Sequence, residues 1–250
     1  MITVKPISKI GVSKFRANTY GILVVHTGAN RFLGYGSYLD GWLSPQDRGD
    51  IARVIDPETR AAMRVGRALP GLILARLLDV SKETIRIIRE DRHKPKVVIG
   101  GASGIDFSVT RSKNFVGLAV GNGLELGFDA ETLRSYPDSL DLAKRYFNAK
   151  EAEWIAAADG AERENRFFSV WTKKEAVVKA LGTGLSTDLA TFRVPGPQTG
   201  AVTWMPPEKK DEKLSVGNLS IAPEIIAALC ASNIPTPIEL LDLWPEHVFV

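Results

Sequence analysis

The alternation of apolar and polar positions changes character along the chain. Gly21 to Thr27, GILVVHT, is a nearly continuous apolar run and predicts a strand covered on both faces. The glycine- and aromatic-rich NRFLGYGSYLDGW after it predicts a loop. Ser44-Pro45 and Asp56-Pro57 each put a capping side chain before a proline at the first helical position, so a helix is expected to open at both. The second continues through TRAAMRVGRAL, and Pro70-Gly71 is expected to kink or end it. From Thr84 the period shortens to that of strands, in TIRIIR, VVIG, IDFSV, FVGLAV and ELGFDAE. Residues 105–131 therefore predict three consecutive, mostly antiparallel strands, the last two joined by a hairpin turn at Gly121-Asn122-Gly123. LDLAKRYF and EAEWIAAA read as helices, the latter opened by an Asn148/Glu151 capping box. LATFRV, GAVTWM, KLSVGNLSIA and EIIAALCA then predict a second sheet. The change of rhythm near 120–130 divides the chain into halves, 1–124 and 125–250.

Two short stretches carry candidate chemistry. In Phe167 to Leu185, FFSVWTKKEAVVKALGTGL, the residues Trp171, Glu175 and Lys179 recur every four positions and share one helix face. Gly182 is placed to end that helix in the left-handed conformation. Glu175 admits two readings. Thr172 and Glu175 have the spacing of a capping box, with Lys179 as an ion-pair partner contributing about 0.3–0.5 kcal/mol. Alternatively, a carboxylate and an ammonium are aimed at one ligand, such as a metal and a phosphate. In the strand GFDAE, Asp129 and Glu131 are two apart and point the same way. Paired like charges are unfavourable unless they bind a cation or take up a proton, although scattered acids at an exposed strand end read the same. Gly127 permits close backbone approach there, which supports a ligand. Arg60, Arg64 and Arg67 fall on one side of their helix, as a solvated face or as a row facing phosphate.

Composition narrows the field. The chain has 250 residues, 44% hydrophobic and 24% charged, with ample material for a core. A net charge of +3 is too weak to argue for nucleic acid. The single cysteine, Cys230, excludes an intrachain disulfide framework, and three histidines without metal spacing argue against zinc. Any metal would be held by carboxylates. No apolar run approaches the ~20 residues of a membrane span, and the start lacks a signal-peptide core. A soluble, cytoplasmic monomer is expected.

Taken together, GFDAE and FFSVWTKKEAVVKALGTGL resemble the Sfp-type 4'-phosphopantetheinyl transferases. That family shows a Gly-x-Asp-x-Glu strand and a Trp-(Ser/Thr)-x-Lys-Glu-x-x-x-Lys-x-x-Gly-x-Gly-Leu helix, and every fixed position is met here. LAKRYFNAKEAEWI is similar to the family's Arg-Phe-Phe helix, HKP at 93–95 to its Gly-(Arg/Lys)-Pro turn, and DFSV at 106–109 to its Asn-x-Ser-His segment. The likeness covers roughly residues 43–195. It implies an α+β fold of two similar halves related by a pseudo-twofold axis, with coenzyme A between them. The implied reaction moves phosphopantetheine from coenzyme A to a serine of an apo acyl or peptidyl carrier protein, releasing 3',5'-ADP. The alternative is a relative with an altered donor, or one that binds nucleotide without catalysis.

The resemblance also implies roles. Asp129 and Glu175 would hold Mg²⁺, and Glu131 would be a third ligand or the base that takes the serine proton. Lys179 would meet a phosphate oxygen. His93, Lys94, Pro95 and Ser108 would contact the nucleotide end of coenzyme A. Three departures bear on its 3'-phosphate. The family's histidine after the serine is Val109, the basic residues after Leu-Ser-Pro are Asp47 and Asp50, and His93 replaces the turn glycine. Arg48, Arg53, Arg67, Arg111 or Lys113 could compensate. The carrier is expected to dock on Lys144, Arg145 and Lys150 beside Phe147.

Overall fold

A computed structural model describes residues 1–7, 21–90, 94–100, 104–205, 213–234 and 238–248. In chain order the elements begin with β1 (Val4–Ile7) and β2 (Ile22–Gly28), then α1 (Gly36–Asp40), α2 (Pro45–Ala52) and α3 (Pro57–Leu78). The strands β3 (Ile85–Ile88), β4 (Lys96–Ile99), β5 (Ile105–Ser112), β6 (Phe115–Asn122) and β7 (Leu126–Thr132) follow. Next come α4 (Ser139–Tyr146), α5 (Ala149–Ala156) and α6 (Gly160–Leu181). The chain continues with β8 (Phe192–Arg193), β9 (Gly200–Ala201), β10 (Thr203–Trp204), β11 (Ser215–Ala222), β12 (Ile225–Ala231) and β13 (Ile238–Asp242).

The architecture is α+β, and one motif occurs twice. In the first half a strand (β2) leads to a 22-residue helix (α3) and then a hairpin (β5–β6) whose second strand pairs back antiparallel to β2. In the second half β7, the 22-residue α6 and the hairpin β11–β12 repeat that order, and β12 pairs antiparallel to β7. The main sheets run β1-β13-β2-β6-β5 and β7-β12-β11-β9. Their apolar faces meet: Ile22, Val24 and Ala119 of the first share a buried cluster with Phe128, Ala227 and Leu229 of the second. The opposite faces are covered by α3 and α6. The run GILVVHT is apolar throughout because alternate residues serve both sides: Leu23 and Val25 pack toward α3, Ile22 and Val24 toward the second sheet.

Four expectations are corrected. The stretch from Ala29 is not a loop but 3-10 helix to Tyr35 followed by α1. Pro70 does not end its helix, and α3 continues for eight residues to Leu78. An interior proline loses one hydrogen bond and crowds the carbonyl four residues back, but Leu69 to Leu74 are all buried, and that packing outweighs the cost. β6 and β7 form no hairpin: β6 already has β2 and β5 as neighbours, so the chain crosses at 123–125 into the second sheet. Finally, β13 was not foreseen. It lies beyond residue 124 yet inserts between β1 and β2, parallel to both, in the first sheet.

The sheets are also joined edge to edge by side chains. Asp106, Ser108, Thr110 and Ser112 alternate along β5, and each accepts a hydrogen bond from a backbone N–H of β7. Their donors are Leu126 (3.0 Å), Phe128 (2.9 Å), Ala130 (3.2 Å) and Thr132 (3.0 Å). The edge of β7 is thereby satisfied without a strand partner on that side.

Candidate active site

The helix α6 is one unbroken element from Gly160 to Leu181, so Thr172 lies mid-helix and is no cap. Its hydroxyl donates to the carbonyl of Phe168 one turn back, at 2.9 Å. Trp171, Glu175 and Lys179 therefore do share a face, and that face lines a cleft of about 880 Å³ between the halves. Gly182 ends the helix with φ 68°, as expected. The first half contributes Lys94, Pro95, Ser108 and Val109 to the wall, and the second adds Tyr136, Tyr146 and the segment around Asp188.

The glycine of the Gly-x-Asp-x-Glu strand has a role other than the one expected. A Cβ at Gly127 would lie 1.8 Å from the carbonyl oxygen of Ala176 and 2.5 Å from the nitrogen of Ala180. What approaches Gly127 is the backbone of α6, not a ligand. This contact sets Lys179 over Asp129: the ammonium donates to Asp129 Oδ1 at 2.7 Å and to the carbonyls of Phe128 and Val109 at 3.2 and 3.3 Å. Thr110 donates to the same carboxylate oxygen at 2.9 Å. The other oxygen, Oδ2, is buried with no hydrogen-bond partner among the described residues.

Glu175 makes no hydrogen bond among the described residues. Burial first, then the nearby negative charge of Asp129, raises its pKa, with Lys179 opposing and Glu131 adding. Glu131 is pinned at the end of β7 by Ser112 (2.6 Å) and Arg134 (3.0 Å), and only Glu175 of the three carboxylates lines the cleft. Among the described residues, no three His, Cys, Asp or Glu side chains converge on one metal position. The donor chemistry nevertheless fits a small hard cation. An orphaned carboxylate oxygen lies beside a carboxylate driven toward protonation by burial and by Asp129, and a divalent cation relieves both.

The nucleotide-binding candidates fare unequally. His93 lies outside the described residues. Lys94 lines the cleft but is paired with Asp106 and donates to the Leu126 carbonyl at 2.6 Å. Burial lowers its pKa against the pull of Asp106. Pro95 is in the wall. Ser108 is buried, its hydroxyl engaged by Phe128 as part of the inter-sheet joint. Arg111 is not in this cleft; it lines a smaller cavity beside it.

One functional side chain in the motif had been given no role. Lys174 is fully buried and ion-paired with Glu151 at 2.8 Å, while its ammonium also donates to the carbonyls of Leu189 and Phe192. Glu151 forms the expected capping box at Asn148 and accepts in addition from the Val194 N–H. Motif lysine and capping glutamate together anchor the 189–194 segment, whose start is in the cleft wall. Phe147 is corrected as well: it is core, 4% exposed, and Tyr146 is the exposed aromatic beside Lys144 and Arg145.

The fold and site define a two-lobed α+β protein whose carboxylates and lysine meet where the lobes join. Residues 125–230, the half holding both motifs, match the 4'-phosphopantetheinyl transferase superfamily. Sfp-type relatives align with the chain over most of its length. It is 27% identical over 226 residues to 4'-phosphopantetheinyl transferase Sfp of Bacillus subtilis (strain 168), covering 86% of this chain and 98% of Sfp. It is 33% identical over 147 residues to 4'-phosphopantetheinyl transferase HetI of Nostoc sp. (strain PCC 7120 / SAG 25.82 / UTEX 2576), covering 58% of this chain and 61% of HetI. A holo-(acyl-carrier-protein) synthase from Bacillus anthracis str. Ames, crystallised with CoA, superimposes with a TM-score of 0.30 at 20% identity, over 40% of this chain and 92% of that one. No helix among the described residues is long and apolar enough to cross a membrane.

Proposed function

We propose that this protein transfers the 4'-phosphopantetheine arm of coenzyme A to a serine of an apo carrier protein. The observation that carries the reading is that Glu175 and Lys179 line the cleft between the halves, with Asp129 ion-paired to Lys179. In the reaction the serine oxygen bonds to the pantetheine-side phosphorus, the bridging P–O bond breaks, and 3',5'-ADP leaves. Asp129 and Glu175, with Glu131 nearby, would hold Mg²⁺, which supplies positive charge against the pyrophosphate when bound. Lys179 orients Asp129 and adds a fixed positive charge where negative charge develops on the leaving group. Glu131 is positioned by Arg134 and Ser112 and is the carboxylate we assign to receive the serine proton, directly or through water. The aromatic end of the cleft, with Tyr136, Tyr146 and Trp171, suits the pantetheine chain and the carrier surface. The same reading takes the protein as a cytoplasmic monomer whose chain divides near residue 124, with β13 returning to the first sheet.

The test is incubation with Mg²⁺, coenzyme A and apo carrier proteins of fatty-acid, polyketide and peptide pathways. A phosphopantetheine mass gain on the carrier serine is the expected result. No gain on any carrier, with nucleotide still bound, would favour a binding protein without catalysis.

A further inference from the structure

The joint between the sheets does more than satisfy the backbone. Along β5 the hydroxyls of Ser108, Thr110 and Ser112 each accept from a β7 N–H, and each has one proton left to give. Ser108 gives it to the Phe128 carbonyl at 3.3 Å. Thr110 and Ser112 give theirs to the two acids of β7, Thr110 to Asp129 Oδ1 at 2.9 Å and Ser112 to Glu131 Oε2 at 2.6 Å. The Ala130 carbonyl is also within reach of the Thr110 hydroxyl, at 3.4 Å, but the carboxylate is nearer and charged. Thr110 is 4% exposed and β-branched, so few rotamers are open to it and the hydroxyl stays aimed at Asp129.

Asp129 Oδ1 thereby receives two donors, Thr110 and Lys179, which fill both of its lone pairs. Oδ2 of the same buried carboxylate receives none among the described residues. The Lys179 ammonium has committed its three protons, to Oδ1 and to the carbonyls of Phe128 and Val109, so contact with a phosphate oxygen costs it one of these bonds. Thr110 has no such second duty and holds Oδ1 whichever way the lysine turns. We infer that Thr110 is a positioning residue that fixes the Asp129 carboxylate with Oδ1 toward the protein and Oδ2 free for a divalent cation. The inference rests on the reading of Asp129 as a ligand of Mg²⁺. Thr110 belongs to the first half and lies outside residues 125–230, so one half aims the carboxylate of the other. Hydrogen bonds from such outer residues orient a ligating carboxylate, and losing one typically costs about 10- to 100-fold in metal affinity.

The experiment titrates Mn²⁺ into the whole protein, with and without coenzyme A, and reads the free ion by electron paramagnetic resonance, so that no turnover is needed. Thr110→Val, which keeps the shape and removes the hydroxyl, is expected to weaken Mn²⁺ binding by about 10- to 100-fold. Thr110→Ser, which keeps the hydroxyl, is expected to bind close to wild type, and Thr110→Ala replaces the valine variant should that one not fold. In the transfer assay the variant without a hydroxyl should lose kcat, with the KM for coenzyme A little altered and part of the loss returned by excess Mg²⁺. A residue that only joined the sheets would lower the melting temperature and leave Mn²⁺ affinity alone. Equal Mn²⁺ affinity in wild type and Thr110→Val would overturn the inference, as would a serine variant as weak as the alanine one. Weakened Mn²⁺ binding in the variant of a protein that modifies no carrier would sink the proposed function and leave this role standing. A wild type that transfers but binds no Mn²⁺ under either condition would keep the function and remove the inference.

Discussion

At the scale of single residues the site is a balance of charges that the protein alone does not complete. Asp129 and Glu175 are each expected to be needed for transfer: alanine at either should lower kcat/KM by at least about 10²-fold with the circular dichroism spectrum unaltered. Activity within tenfold of wild type would end the assignment. Glu175 also predicts a stability effect with a definite sign. Because burial and Asp129 raise its pKa when folded, the folded protein holds more protons than the unfolded chain between the ordinary glutamate range and the raised value. Stability from this group therefore falls as pH rises through that window. Glu175→Gln should raise the melting temperature of the metal-free protein at pH 7, and the gain should fade as the pH is lowered toward 4. Added Mg²⁺ should raise the melting temperature of wild type more than that of the variant. An equal Tm at pH 7 without metal would show that the carboxylate already has a partner.

At the scale of elements, α6 is held at two places, and each predicts a different failure. Gly127 lets its backbone touch β7, so Gly127→Ala forces two main chains apart. The expected cost is at the upper end of overpacking, about 3 kcal/mol or more, read as a shifted urea midpoint. A loss under 1 kcal/mol would mean that helix and strand part easily. The buried Glu151–Lys174 pair predicts non-additivity. Lys174→Met should cost about 3–5 kcal/mol, because it strands a carboxylate, whereas adding Glu151→Leu should return much of that loss. Strictly additive effects would show that the two act separately. At the rim, α4 presents Lys144 and Arg145, with Lys150 following on α5. Reversing all three charges should raise the carrier KM and flatten its salt dependence while leaving the KM for coenzyme A near wild type. An unaltered carrier KM would place docking elsewhere.

For the whole molecule, what the sequence disclosed depended on how local the cause was. The Gly182 stop of α6, the common face of Trp171, Glu175 and Lys179, and the Asn148 cap are each written within a few residues. They were legible. That Asp129 and Lys179 belong to one site was legible only through the family's spacing, and their direct ion pair was not foreseen, since fifty residues separate them. Gly127 was recognised as a place of close approach but assigned the wrong visitor, because a strand does not reveal what packs on it. Pro70 was overruled by packing on all sides of α3. The partnership of Lys174 with Glu151, and of Asp47 with two arginines, left no mark at all: Glu151 already had a sufficient local explanation as a capping residue, and Asp47 stood out only as an acid in a basic position. β13 was missed for a similar reason. Five residues, IELLD, are too short to stand out, and their partners lie more than two hundred positions away.

That last strand sets a clock on assembly. β13 fills the slot between β1 and β2, so the edge of β2 stays open until residues near 240 have been synthesised, and β1 has no sheet to join before then. The Thr27 hydroxyl bond to the Leu243 carbonyl, 2.7 Å long and 216 residues apart in sequence, belongs to the same late event. Closing a loop of that length comes after nearer pairings such as β5–β6 and β11–β12, whose strands are sequence neighbours. Pulse-labelled hydrogen exchange during refolding should therefore show amides of 216–231 protected first and those of 238–242 last. On the ribosome the same order leaves the first half unsealed until residues 238–242 have emerged, and until then its exposed edge is the part of the molecule that most needs a chaperone.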